Sequence, residues 1–269
     1  MQIVLCDDAE HAAREAAKWV QALLVHKAKP VLGLATGSTP IRLYQELIAL
    51  HQLQQLSFAN CTTFNLDEYF DIAATHKQSY RSFMQKHLFN HVDIDQTNTY
   101  LPACSQGQNP RLVGLEYEQK IAAAGGIDLQ ILGIGSNGHI GFNEPTSSLA
   151  SRTRLKTLTA QTIADNSRLF AADEVQPTMA MTMGIATIMD ARYILLIATG
   201  QAKAEAVRQM VCGPVSAYCP ASILQMHEHA IVVLDRDAAS LISDQQYLKV
   251  AEQENQRMID MYGLQFIAE

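Results

Sequence analysis

The sequence predicts an α/β fold with a mostly parallel central sheet flanked by helices. Short apolar runs that end in Gly or Asp alternate with longer segments of helical period, which is typical of crossover units around a parallel sheet. Hydrophobic residues make up 48% of the chain and charged residues only 17%, so 269 residues can bury a large core. No repeat, low-complexity tract or linker rich in Pro, Gly or Ser divides the sequence. We therefore expect residues 1–269 to form one domain.

The predicted strands are short apolar runs within PVLGLA, TTFNL, IDLQILG, YILLIA and AIVVL. Each run is shorter than a typical helix and precedes a turn or a polar segment. In chain order, the predicted strands span residues 30–35, 62–66, 127–133, 193–198 and 230–234.

The predicted helices lie between these runs. Residues 8–27 carry apolar side chains such as Trp19 and Leu23 at roughly helical intervals, and residues 40–51 do the same with Tyr44 and Leu47. In the segment TMAMTMGIATIM the methionines recur at helical spacing, which favours core packing. The remaining predicted helices span residues 79–90, 173–189 and 201–211.

Charge and composition exclude several classes of function. The net charge of −7, the pI near 5.7 and the lack of clustered Lys and Arg give no reason to expect a nucleic-acid partner. The start MQIVLCDDAEHAAREAAKW turns acidic and helical, unlike a signal peptide, and no run of about 18 apolar residues could span a bilayer. The five cysteines form no C-x-x-C pair, which argues against a disulfide framework or a zinc ribbon. We expect a cytoplasmic protein with reduced thiols.

The loop ATGSTP follows the first predicted strand and opens a helix. Thr39 suits the helix cap and Pro40 the first helical position. Free backbone N–H groups, the helix dipole and the hydroxyls of Thr36, Ser38 and Thr39 would converge there, which favours a phosphate site. The loop lacks the G-K-[ST] ending of a nucleotide-binding loop, so a single phosphomonoester fits better. An ordinary capped turn is the alternative.

Two adjacent carboxylates, Asp67 and Glu68, follow the second predicted strand in FNLDEYFDI. Successive strand residues face opposite ways, so only one of the two can point into a site. A carboxylate in a partly apolar cleft has a raised pKa and can act as a general base. The alternative is that Asp67 caps the following turn.

The loop LGIGSNGHIGFNEP contains Gly133, Gly135 and Gly138 at the spacing of a dinucleotide-binding fingerprint. A nicotinamide enzyme would require these glycines to open a long helix and a carboxylate about twenty residues later, and the sequence has neither. The glycines are better explained as allowing an irregular backbone that brings Asn137, His139 and Glu144 into a tight loop beside a ligand.

Glycines flank His139 at positions 138 and 141, at the end of a predicted strand, which favours a catalytic or binding role over a core role. Glu144, five residues later, can return to hydrogen-bond the imidazole and fix its tautomer.

Seven stretches, in this order, resemble the glucosamine-6-phosphate deaminase family: LGLATGSTP, TFNLDEY, SYRSFMQKHLFNHVDI, GIGSNGHIGFNEP, SSLASRTRLKTLT, NSRLF and ATGQAKA. They cover most of the chain, although only GHIGFNEP is highly specific by itself. The resemblance implies a modified Rossmann-like three-layer sandwich. It also implies conversion of D-glucosamine 6-phosphate to D-fructose 6-phosphate and ammonia in amino-sugar catabolism, with no cofactor and no metal.

By position, the resemblance makes Asp67 the base that moves the C2 proton to C1, and His139 the residue that opens the pyranose ring with Glu144 as its orienting partner. Asn137 stands where some relatives carry Asp. An amide can orient a neighbour but does not take a proton at neutral pH, so ring opening is expected to rest on His139 and Glu144. By the same resemblance, the residues that bind the substrate phosphate are Thr36, Gly37, Ser38, Thr39, Arg168 and Lys203.

A regulatory site is also implied. Ser147, Arg154 and Lys156 resemble the part of certain family members that binds an activator, N-acetylglucosamine 6-phosphate, between the subunits of a hexamer. A basic surface strand is the alternative for Arg154 and Lys156. We expect a small sugar phosphate as partner, a homo-oligomer as the assembly, and neither nucleic acid nor membrane.

Two other functions compete with the deaminase reaction. A 6-phosphogluconolactonase has a similar scaffold and a glycine-rich loop with a G-H pair, but its loop would not continue with FNEP and it needs no proton-abstracting DEY. A sugar-phosphate-sensing regulator would keep the phosphate site without turnover. The joint presence of Asp67, His139 and Glu144, and the lack of a basic DNA-binding patch, argue against the regulator.

Overall fold

The computed structural model describes residues 1–167, 170 and 174–262. Its centre is a seven-stranded sheet in the order β1-β10-β9-β6-β2-β3-β5, in which every neighbouring pair is parallel. The α/β prediction with a parallel central sheet is therefore confirmed. The strands of this sheet are β1 (Gln2–Cys6), β2 (Val31–Leu34), β3 (Thr62–Asn65), β5 (Thr99–Tyr100), β6 (Leu129–Leu132), β9 (Tyr193–Ala198) and β10 (Ala230–Asp235).

A second, three-stranded antiparallel sheet lies beside the first, in the order β4-β8-β7. Its strands are β4 (Asp67–Tyr69), β7 (Arg154–Thr157) and β8 (Met179–Thr182). The helix predicted over residues 173–189 is thus wrong for Met179–Thr182, and only α6 (Ile185–Met189) is helical; residue 173 lies outside the described residues. The methionine spacing fits a helix, but β8 pairs with a strand on each side, and those ladder hydrogen bonds override the spacing.

The other helices are α1 (Ala9–His26), α2 (Thr39–Gln52), α3 (Tyr80–His87), α4 (Pro110–Ala123), α5 (Ala160–Ser167), α7 (Ala204–Cys212) and α8 (Gln245–Tyr262). Side-chain caps explain where α1 and α4 begin. Asp8 accepts a hydrogen bond from the N–H of His11, and Asn109 accepts one from the N–H of Arg111. The predicted helix 201–211 begins with a 3₁₀ turn, Gln201–Lys203, before α7. Among the described residues, no helix is long and apolar enough to cross a membrane.

The main core fills both faces of the parallel sheet. The strands β2 and β6 are buried along their whole length, and α1 adds a stripe of buried residues that includes Ala16, Val20 and Leu23. Complete burial of one such large aliphatic side chain contributes about 1.5–3 kcal/mol. A smaller core of Tyr69, Phe142, Leu158 and Ala180 lies around the second sheet.

The strand order reverses between β2 and β6. From β2 the chain proceeds outward to β3 and β5, then returns to the opposite side of β2 with β6 and continues through β9 to β10. A crevice forms at such a switch point beyond the carboxyl ends of the strands, where ligands bind in open α/β folds. The loops after β3, β2, β6 and β9 therefore open onto one edge of the sheet.

Candidate active site

The loop after β2 forms an open helix start. Gly37 has a φ of +103°, which glycine adopts without strain, and it turns the chain into α2. Thr39 was predicted as the cap, but it is the first helical residue; Ser38 occupies the cap position and makes no side-chain capping bond within the described chain. Gly37 and Ser38 are exposed. The backbone N–H groups of the first helical turn and the hydroxyl of Ser38 are thus available to an anion.

Lys203 lies at the corresponding position after β9, at the end of the 3₁₀ turn Gln201–Lys203 and directly before α7. Its side chain is half-buried, and burial lowers the pKa of its ammonium group, an effect that Asp165 partly offsets. A cation at a helix start is unfavourable without an anion, so this position fits a phosphate ligand. Arg168, the other predicted phosphate contact, lies outside the described residues.

The loop after β6 is a tight turn in which the N–H of Gly135 donates to the carbonyl of His139 and the N–H of Gly138 donates to the carbonyl of Gly135. Gly138 has a φ of +81°. Residues 133–139 lie outside helices and strands, as predicted for an irregular backbone, and of Gly133, Gly135 and Gly138 it is Gly138 that has a positive φ. No helix follows this loop, since β6 is succeeded by β7, which removes the structural basis for a dinucleotide site.

His139 and Glu144 lie side by side, as predicted. Nδ1 of His139 is 3.4 Å from Oε2 of Glu144, which is within ion-pair distance. The two groups are not aligned for a hydrogen bond, so Nδ1 has no hydrogen-bond partner among the described residues. The His139 side chain is 22% exposed whereas that of Glu144 is 2% exposed. The imidazole can therefore reach a ligand, while the carboxylate behind it is out of water.

Hydrogen bonds keep the buried Glu144 ionised. Burial raises the pKa of this carboxyl, but the adjacent imidazole of His139 and hydrogen bonds from Thr162 and Asn137 outweigh burial and lower the pKa to about 2. Nδ2 of Asn137 donates to Oε2 of Glu144 at 2.9 Å, and Oδ1 of Asn137 accepts from the backbone N–H of His139 at 3.2 Å. Asn137 thus orients both partners without taking a proton.

Two threonines that sequence reasoning missed hold the other oxygen of Glu144. Oγ1 of Thr162, in α5, donates to Oε1 at 2.5 Å, and Oγ1 of Thr159 lies 3.2 Å from the same oxygen. Both side chains come from the segment KTLTAQT, 15 and 18 residues beyond Glu144. The only sequence signal is their spacing of three at a helix start, which indicates a cap rather than a catalytic contact.

Asp67 opens β4 and is 5% exposed. Burial, reinforced by the neighbouring charge of Glu68, raises the pKa of its carboxyl to about 8, and the backbone N–H of Phe142 opposes this increase. A Cβ built on Gly141 would lie 3.4 Å from Oδ2 of Asp67, so this carboxyl contacts the loop that carries His139.

Glu68 points the other way. Its carboxylate accepts hydrogen bonds from the backbone N–H of Tyr69, in β4, and from those of Tyr80 and Arg81 at the start of α3. Of the two adjacent carboxylates, Asp67 alone lies against the His139 loop, which agrees with the predicted alternation along the strand.

The predicted phosphate loop also meets the His139 loop. A Cβ on Gly133 would lie 3.9 Å from Cβ of Thr39. Asp67, His139, Glu144 and the loop after β2 thus form one cluster at the switch point. Among the described residues, no group of three or more His, Cys, Asp or Glu side chains is arranged to hold a metal ion.

The predicted regulatory residues lie on and beside the second sheet. Nη1 of Arg154, in β7, donates to Oδ1 of Asn143 at 2.9 Å, and Asn143 directly precedes Glu144. Lys156 is half-buried on the same strand. Ser147 is buried, and its Oγ has no hydrogen-bond partner within the described part of the chain.

Comparisons with known proteins find relatives along almost the whole chain. The sequence profile of the family described as glucosamine-6-phosphate isomerases/6-phosphogluconolactonase matches residues 7–233. The glucosamine-6-phosphate deaminase of Colwellia psychrerythraea (strain 34H) is 64% identical over 264 residues, which is 98% of either chain. The protein of the same name from Pseudoalteromonas translucida (strain TAC 125) is 57% identical, again over 98% of each chain.

Solved structures support the fold. One described as a monomeric glucosamine-6-phosphate deaminase has a TM-score of 0.87 at 42% identity and covers 90% of this chain and 100% of its own. A 6-phosphogluconolactonase from Leishmania guyanensis has a TM-score of 0.68 at 20% identity, over 90% of this chain and 98% of its own, and shows a shared fold alone. On the profile match and on the identity to full-length relatives, the chain belongs to the family of glucosamine-6-phosphate isomerases and 6-phosphogluconolactonases.

Proposed function

We propose that this protein converts D-glucosamine 6-phosphate and water to D-fructose 6-phosphate and ammonia, in amino-sugar catabolism. The observation that carries the proposal is the convergence of a buried carboxyl with a raised pKa, Asp67, and an oriented histidine, His139, beside an open helix start that suits a phosphate. Relatives named for this reaction are 64% and 57% identical to the chain along almost its whole length.

In the proposed reaction, His139 opens the pyranose ring by moving a proton on the ring oxygen. Glu144 stays ionised and holds the imidazole, and Asn137 fixes the distance between them. Asp67 then removes the proton from C2, which is acidic beside the aldehyde or its imine equivalent, and delivers it to C1. Water takes the place of the amine at C2, and ammonia leaves.

The residue types suffice for this chemistry. A carboxylate of raised pKa can both accept and return a proton near neutral pH, and a positioned acid or base of this kind contributes about 10²–10⁴ in rate. The phosphate supplies binding energy remote from C1 and C2, which holds the open chain against Asp67. We assign the phosphate to Thr36, Gly37, Ser38, Thr39 and Lys203, with Arg168 joining them on the resemblance alone. The proposed steps are proton transfers and an addition of water, so they use no cofactor.

The test is to incubate the purified protein with D-glucosamine 6-phosphate and to measure ammonia and fructose 6-phosphate together. We expect both products in equal amounts, and a loss of at least about 10²-fold in kcat for Asp67→Asn, which keeps the shape of the side chain and removes the base. Wild-type protein without product, or a variant with undiminished turnover, would refute the proposal. A parallel assay with 6-phosphogluconolactone separates the deaminase from a lactonase, which releases acid but no ammonia.

A second proposal concerns regulation and assembly: the chain forms a homo-oligomer, and N-acetylglucosamine 6-phosphate binds at Ser147, Arg154 and Lys156 to activate it. The hydrogen bond from Arg154 to Asn143, next to Glu144, supports this idea because it joins β7 to the loop of His139. Sigmoidal kinetics that become hyperbolic with the acetylated sugar are expected, together with an oligomer in sedimentation. A monomer with hyperbolic kinetics in both conditions, in line with the monomeric state of one solved relative, would contradict it.

A further inference from the structure

The imidazole ring of His139 occupies the space in which a side chain of Gly135 would lie. A Cβ atom built on Gly135 would be 2.2 Å from Cε1, 2.4 Å from Nδ1 and 2.5 Å from Nε2 of that ring. Ordinary van der Waals contact begins at 3.4 Å, so a methyl group at this position would require a shift of at least 1.2 Å. The edge of the ring that carries both nitrogen atoms is therefore packed onto the backbone of Gly135.

Gly135 cannot easily give way, because its backbone is held on both sides. Its N–H donates to the carbonyl of His139 at 2.9 Å, and its carbonyl accepts from the N–H of Gly138 at 2.9 Å. Its φ lies outside the left-handed region, so an L-residue can adopt the conformation without strain. The requirement for glycine at position 135 is therefore one of space.

We propose that Gly135 is a positioning residue for His139. Because Gly135 lacks a side chain, the ring can lie 3.4 Å from Glu144 and still reach the crevice. The inference rests on the proposed function in one respect only, namely that ring opening is the step in which the position of His139 matters. The packing of the ring on Gly135 is independent of the identity of the substrate.

The rate test is a double-mutant cycle with D-glucosamine 6-phosphate. We expect Gly135→Ala to lower kcat by about 10²-fold and to leave KM within about threefold, because a displacement of about 1 Å in a catalytic group costs rate rather than binding. In the His139→Ala background, the same change should alter the residual rate by less than about twofold, since no ring remains to be displaced. A second loss of about 10²-fold in that background would overturn the proposal.

The second test uses thermal unfolding and needs no turnover. Gly135→Ala should lower Tm in the wild-type background and should leave it unchanged or raise it in the His139→Ala background, because replacing Gly by Ala at an ordinary φ restricts the unfolded chain. Gly133→Ala is the folding control. Among the described residues its Cβ would meet Cβ of Thr39 alone, at 3.9 Å, so any change in Tm should be the same in both backgrounds.

The two tests separate the possible failures. Wild-type protein that does not deaminate the substrate refutes the proposed function, yet the Tm cycle still decides whether the ring is packed on Gly135. Where the protein turns over, a rate effect of Gly135→Ala that depends on the presence of His139 supports the positioning role, and equal rate losses in the two backgrounds overturn it. Where it does not, the same two outcomes in Tm decide whether the ring is packed on Gly135.

Discussion

At the scale of the residue, the environment of Asp67 sets its proton affinity. Burial raises the pKa to about 8, and the charge of Glu68 acts in the same direction. The free protein therefore carries Asp67 mostly protonated at neutral pH, and the base form appears as the pH rises through about 8. We expect kcat/KM to rise with pH across this value, because kcat/KM reports the pKa of the free enzyme. A profile that is flat from pH 6 to 9 would contradict this assignment.

The free energy of unfolding should also depend on the ionisation of Asp67, but it should fall, rather than rise, with increasing pH. The unfolded carboxyl titrates near pH ~3.9, whereas the folded one holds its proton to about pH 8. The folded state thus binds more protons between these values, so the contribution to stability is complete below pH ~4 and is lost as the pH rises through about 8. Asp67→Asn should therefore raise Tm relative to the wild type more at pH 9 than at pH 6, as measured by calorimetry.

Thr162 offers a further test at single-residue scale. Its hydroxyl donates at 2.5 Å to the Glu144 oxygen that does not face His139. Thr162→Val keeps the shape of the side chain and removes the donor, and we expect kcat to fall by about 10-fold, because a hydrogen bond to a charged group is worth ~1.5–3 kcal/mol. Thr162→Ser restores the donor and should recover most of the rate. Equal losses in the Val and Ser variants would show that the hydroxyl donor alone does not account for the effect.

Single residues also show how far the sequence alone leads. His139 and Glu144 are five residues apart in one loop, and Asp67 directly follows a strand, so local reasoning could single out all three; the structure places His139 beside Glu144 and Asp67 against their loop. Thr162 is 18 residues from the carboxylate that it contacts, with a whole strand, β7, between them. Gly135 resembled a backbone glycine in the sequence, and only the structure shows the ring that occupies its missing side chain.

At the scale of the element, one carboxylate joins β4 to α3. Glu68 accepts from the N–H groups of Tyr80 and Arg81, the first two residues of that helix. Glu68→Gln places an amide NH₂ where an acceptor is needed, and we expect the free energy of unfolding to fall by about 1–3 kcal/mol. It should also lower the pKa of Asp67, and so move the rise of kcat/KM to lower pH.

Ser79→Ala is the matched control for that variant. Ser79 caps the same helix by accepting from the N–H of Ser82, and its loss should cost about 1 kcal/mol. Because Ser79 carries no charge, the pH dependence of kcat/KM should stay in place. A pH shift of equal size in both variants would mean that α3, rather than the charge of Glu68, controls Asp67.

Elements that carry their own pattern were predictable from the sequence, and those that depend on pairing were not. Tyr193–Ala198 is a continuous apolar run and was predicted with its observed bounds. The strand Met179–Thr182 was predicted as helix, because its identity comes from β4 and β7, which are distant in sequence. The strand β4 escaped prediction for the same reason, and β7 was considered only as a basic surface strand at Arg154 and Lys156, since each is short and partly polar.

At the scale of the whole molecule, ligand binding should stabilise the fold through the loop after β2 and Lys203. We expect fructose 6-phosphate to raise the free energy of unfolding by about 2.7 kcal/mol at a hundredfold excess over Kd, and fructose without phosphate to have almost no effect. Lys203→Met should abolish most of this gain. Arg208→Met, at an exposed position of α7, the helix that follows Lys203, should leave it intact. Thermal shift assays of the wild type and both variants, each with either sugar, measure all six combinations.

The proposed functional residues lie on two different sheets, which has a practical consequence for protein engineering. The loop after β2, which we propose binds the phosphate, follows a strand of the parallel sheet, whereas Asp67, the proposed general base, opens a strand of the antiparallel one. A designer can thus vary the strands around Asp67 to change what is done at C1 and C2 while the loop after β2 continues to recruit phosphorylated sugars. Selection for new activities on this scaffold can begin from a library confined to β4, β7 and β8.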